Sequence, residues 1–97
     1  MINHVVCFKL KDSTEENRLK AKEVLMGMKD NVPMIKEITV GTDFLHSGRS
    51  YDVILQVKLE NRTVLEEYQN DPYHVNVVKK YMHQVVENSI AIDYNID

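Results

Sequence analysis

One cysteine in the whole chain, Cys7, excludes an intrachain disulfide framework and makes the cytoplasm the expected compartment. The same scarcity leaves no Cys-x-x-Cys motif, and there is no His-Glu-x-x-His. Glycine is nearly as rare. Gly27, Gly41 and Gly48 are scattered and cannot form a phosphate loop or a dinucleotide fingerprint. The sequence therefore predicts no metal and no cofactor. No apolar run approaches the roughly 20 residues of a membrane span. Met1 to Cys7 carries no charged leader region, so no signal peptide is expected. A basic excess is missing too, since the formal net charge is −3. That balance argues against nucleic acid, and no basic amphipathic segment suits an anionic membrane.

What is present fits one domain over residues 1–97. A chain this short buries a modest core, and self-association is a way to bury more. The first strand is expected over Ile2 to Lys11, with Ile2, His4, Val6, Phe8 and Leu10 on one face. Ser13 or Thr14 caps a helix running to about Lys29, with Ala21, Val24, Leu25 and Met28 as its buried stripe. Strands follow over Ile35 to Phe44 and Tyr51 to Glu60. In the latter, Val53, Leu55, Val57 and Leu59 alternate with polar residues. Asn61 caps a helix carrying Val64, Leu65 and Tyr68. Asp71 and Pro72 then restart a helix with Val75, Val78, Met82, Val85 and Val86 inward. Asn88 to about Ile96 closes the chain as a fourth strand, with Ile90, Ile92 and Tyr94 on one face.

The order β-α-β-β-α-β is an α+β, ferredoxin-like plan with an antiparallel sheet. Helices cover one sheet face. The other carries Val5, Cys7 and Ile54 and needs a partner, so a homodimer packed sheet to sheet is expected. Asp52 and Gln56 are expected to reach across that seam.

Chemistry concentrates between Tyr68 and His74, where two phenols and an imidazole flank the helix break. His74, near a helix start, reads either as a neutral general base or as a residue that fixes the junction. Tyr68 reads as a proton donor to a carbonyl or as a core aromatic. His4, in an apolar strand row, could meet either of them, or could simply need a core partner. The apolar residues Val6, Phe8, Val53 and Leu55 supply candidate ligand-binding walls. His83 and Glu87 read as a surface ion pair on a helix, His46 as a loop residue, and Cys7 as a small buried hydrophobe.

Four segments together resemble a known family. Ile2-Asn3-His4-Val5-Val6-Cys7-Phe8-Lys9-Leu10-Lys11 is similar to the opening strand of the stress-responsive dimeric α/β-barrel, or Dabb, domain. Val32-Pro33 through Gly41 resembles its second strand, and Tyr51-Asp52-Val53-Ile54-Leu55-Gln56-Val57 its third. Tyr68 through Val78 resembles its Tyr-x-x-x-Pro-x-His-x-x-Val element. The resemblance implies a homodimeric α/β barrel of stress physiology with a cavity between sheet and helices. One branch of the family looks like cofactor-free polyketide cyclases, whose tyrosine and histidine match Tyr68 and His74 and whose first-strand histidine matches His4. Their third-strand histidine is replaced here by Val53. The first functional expectation is a binder or enzyme for a small hydrophobic carbonyl compound. The alternatives are a non-catalytic dimer and a monooxygenase-like or haem-binding relative.

Overall fold

A computed structural model describes residues 1–96. Four strands, β1 (Ile2–Leu10), β2 (Glu37–Thr42), β3 (Val53–Leu59) and β4 (Val86–Asn95), form one antiparallel sheet in the order β2-β3-β1-β4, with helices on one face. The architecture is the expected ferredoxin-like one. β1 (Ile2–Leu10) lies between β3 and β4, with His4, Val6 and Phe8 toward the helices and Val5 and Cys7 on the opposite face. β3 (Val53–Leu59) buries Val53, Leu55, Val57 and Leu59 against the helices, as its period of two requires. β2 (Glu37–Thr42) and β3 are both shorter than the sequence predicts. Asp52, just before β3, accepts hydrogen bonds from the Leu10 amide at 2.7 Å and the Ser13 hydroxyl at 2.6 Å. It fastens the turn leaving β1 within its own chain, instead of reaching across a dimer seam.

Helix α1 (Glu15–Met26) starts where local chemistry places it. The Thr14 hydroxyl accepts from the Asn17 amide at 3.1 Å, and Glu15 and Glu16 occupy the first turn. The helix stops at Gly27 and resumes as α2 (Met28–Asn31). A Cβ on Gly27 would lie 2.6 Å from the Tyr73 hydroxyl, so the glycine lets the C-terminal helical segment dock closely on α1. Ala21, Leu25 and Met28 are buried as expected.

Asn61 caps α3 (Arg62–Gln69) by accepting from the Val64 amide at 3.0 Å. Asp71 caps the restart by accepting from the His74 amide at 3.1 Å. The restarted segment is not the simple α-helix expected. It winds as a π-helix over His74–Lys79 and returns to α geometry as α4 over Lys80–Val85. The wider winding turns His74 inward with Val78 and Met82, while Val75, expected to be buried, is 39% exposed. The helix ends at Val85, and β4 (Val86–Asn95) begins earlier than predicted. Glu87 therefore lies on a strand, and the anticipated helical ion pair with His83 does not form among the described residues.

The sheet face away from the helices carries Val5, Cys7, Ile54, Ile90, Ile92 and Tyr94. Ile92 is 65% exposed there. Gln56, on the same face, accepts from the Asn3 amide group at 3.2 Å, and that group also donates to the Tyr94 hydroxyl at 2.9 Å. Cys7 is half-buried rather than fully buried, and its burial pushes the thiol pKa up. Among the described residues, no helix is long and apolar enough to cross a membrane.

Candidate functional site

The helices pack mainly over β2 and β3, leaving space beside β1 and β4 on the helix-bearing face. There a cavity of about 220 Å³ opens between the sheet and the last helical segment. β1 contributes His4, Val6 and Phe8, β3 contributes Leu55, and Tyr68 and His74 line it from the helical side. Val53 does not reach this cavity. It lies opposite Phe8 and Thr42 at the start of β3 and is sealed in the core at 2% exposure.

Three rings form the site's centre. The His74 ring stacks on Tyr68 with centroids 4.4 Å apart and planes 25° from parallel. His4 meets the same phenol edge-on at 5.6 Å and 65°. The fold thus brings together the three residues that the sequence singles out.

Their hydrogen bonds assign them different parts. His74 Nδ1 lies 3.0 Å from the Tyr68 backbone oxygen. A carbonyl only accepts, so Nδ1 carries the proton and Nε2 keeps its lone pair. Burial lowers the His74 pKa and outweighs the Tyr68 carbonyl, the next largest influence, which raises it; Lys79 and His4 lower it further, and Asp71 raises it least. The neutral imidazole is the form such a base needs. His4 Nδ1 pairs with the carboxylate of Asp93, its cross-strand neighbour on β4. Neither Nε2 has a hydrogen-bond partner among the described residues, and both histidines line the cavity.

Tyr68 differs from the expectation of a proton donor. Its hydroxyl points to the Met28 sulfur, 3.6 Å away in the core, and the residue is fully buried. Burial, with Asp71 adding to it, pushes the phenol pKa up, so it stays protonated. What Tyr68 offers the cavity is its ring, clamped between two imidazoles.

Sequence reasoning missed Asp93, Lys79 and the position of His83. Placing Ile90, Ile92 and Tyr94 on one face of β4 put Asp93 on the other. Only the register His4↔Asp93 shows that it meets a histidine. Lys79 and His83 line the cavity because of the π-helical winding, for which the sequence carries no evident signal. His46 stays in its exposed loop beside Asp43. No group of three or more His, Cys, Asp or Glu gathers as a metal would need, among the described residues.

Comparisons with known proteins agree with this architecture. A dimeric ferredoxin-like protein of unknown function from Bacteroides fragilis is 25% identical, covers 98% of this chain and 95% of its own, and superposes with a TM-score of 0.81. A Dabb family protein with a ferredoxin-like fold from Mesorhizobium loti is 22% identical over 98% of this chain and 95% of that one, with a TM-score of 0.75. A hydroxynitrile lyase from Passiflora edulis is 16% identical over 99% of this chain and 93% of that one, with a TM-score of 0.77. No curated protein sequence matches the chain. The family model for the stress responsive A/B barrel domain matches residues 2–96, and the chain accordingly belongs to the Dabb family.

Proposed function

We propose that this protein is a homodimer that binds a small hydrophobic carbonyl compound in the cavity and moves a proton at the carbon beside the carbonyl. One observation carries the reading: His74 lines the cavity with Nδ1 tied to a backbone carbonyl, which leaves Nε2 without a proton or a hydrogen-bond partner, while burial lowers the ring's pKa. In the step proposed, Nε2 takes the proton from the α-carbon. The C–H electron pair moves into the carbonyl, leaving an enolate and an imidazolium, and the imidazolium then returns the proton. His4, held by Asp93, faces the same space, and in its protonated form its Nε2–H can donate to the carbonyl oxygen. Tyr68 positions both rings. At about 220 Å³ the cavity is below the range of about 300–1,000 Å³ for drug-sized ligands, which favours a single-ring or short-chain compound. A fold relative that is a hydroxynitrile lyase supports the idea that this architecture can house an enzyme.

The dimer rests on the exposed apolar sheet face and on relatives that are themselves dimeric. A role in stress physiology and a cytoplasmic setting belong to the same proposal, the first resting on the family and the second on the lone cysteine. The inward-turned Tyr68 hydroxyl favours a second reading, a non-catalytic dimer whose aromatic cluster is structural. Deuterium exchange at the α-carbon of aryl methyl ketones and β-keto esters, followed by proton NMR, separates the two. Wild-type protein should accelerate exchange, and His74→Ala should lose about 10²–10⁴-fold of that acceleration. Exchange no faster than buffer across the panel would leave the non-catalytic reading standing.

A further inference from the structure

The chain as a whole is acidic, with a formal net charge of −3, yet among the described residues no carboxylate lines the cavity. Its wall instead holds three of the four histidines, His4, His74 and His83, together with Lys79. Asp93, beside it, is already committed to His4.

The π-helix produces this gathering. Its i→i+5 hydrogen bonds bring residues five apart to the same side, so Lys79 follows His74 on the cavity face. In α geometry five residues would place Lys79 roughly 140° around the helix from His74. α4 then sets His83 four residues further along the same side. Lys79 has a single weak tie, a 3.4 Å hydrogen bond to the Gln69 backbone oxygen, and no carboxylate pairs with it among the described residues. An ammonium has three donors, so most of its capacity is free.

We infer that the cavity's ligand is an anion, with an apolar body against Val6, Phe8 and Leu55 and a carboxylate at Lys79, where His83 can add a hydrogen bond. This rests on the carbonyl-compound reading above and names its substrate class: keto acids in preference to neutral ketones or esters. The cavity is too small for a nucleotide-sized anion, and a half-buried, weakly tied lysine in its wall can meet a carboxylate with little rearrangement.

Calorimetric titration with benzoylacetate and with its methyl ester, at low salt and neutral pH, tests the inference. Wild-type protein should bind the acid about tenfold tighter than the ester, the size of one charge-assisted hydrogen bond. Lys79→Met should bring the acid down to the ester's affinity and leave the ester unchanged. Lys79→Arg should keep the preference, and His74→Ala should keep it while losing α-proton exchange. Equal binding of acid and ester by wild type, or a preference that survives in Lys79→Met, overturns the carboxylate site and leaves the carbonyl-binding reading intact. Binding of neither compound overturns both.

Discussion

Replacing Tyr68 with phenylalanine removes one oxygen and leaves the ring between His4 and His74 in place. The hydroxyl's one contact is the Met28 sulfur at 3.6 Å. An ordinary intramolecular hydrogen bond contributes about 0.5–1.5 kcal/mol net, and a thioether is a weak acceptor, so this one belongs at or below the low end. Against it stands the cost of burying a hydroxyl with poor compensation, about 1–3 kcal/mol from mutational data. Tyr68→Phe should therefore be about 0.5–3 kcal/mol more stable. Tyr68→Ala deletes the ring itself and should cost about 3–5 kcal/mol, a large part of a stability on the order of 5–15 kcal/mol. Urea unfolding followed by circular dichroism reads both, at one fixed protein concentration because the proposed dimer makes the midpoint concentration-dependent. The same Tyr68→Phe protein should retain α-proton exchange close to wild type. A loss of more than about 2 kcal/mol would refute the hydrogen-bond reasoning, as would a drop in exchange of about a hundredfold or more.

Two more outcomes follow from the same geometry. His74 has a folded-state pKa below its ordinary 6.5, so between the two values the unfolded chain binds more protons than the folded one, and stability rises with pH. The His74 contribution should be complete above about pH 6.5 and should fall away as the solution is acidified. Urea midpoints measured from about pH 8 to about pH 5 should show a shallower decline in His74→Gln, and an identical decline would contradict the assignment. Ile92→Asp places a charge in the middle of the exposed sheet face. Sedimentation should show dimer affinity reduced by at least about a hundredfold, whereas an unchanged dimer would move the interface elsewhere.

Features set by near neighbours in the chain were legible from the sequence. Thr14, Asn61 and Asp71 cap helices because a short polar side chain three residues ahead of an amide can reach it. The alternation of Val53, Leu55, Val57 and Leu59 determined which face of β3 is buried. His4, Tyr68 and His74 stood out by residue type, but their meeting depended on the fold bringing the helix junction against the sheet. The tertiary structure alone decided what each of them does. Asp93 reaches His4 across a separation of 89 residues, through a strand register that no local pattern encodes. The Tyr68 hydroxyl turns to Met28, 40 residues away, because helix packing decides which end of a buried phenol meets the core. Lys79 and His83 join the cavity because the last helix widens where it docks on its neighbours, and a heptad-like stripe read from the sequence assumes that it does not. Caps and periodicity are energies of a few adjacent residues, whereas register, winding and side-chain direction are settled by contacts between segments far apart in the chain.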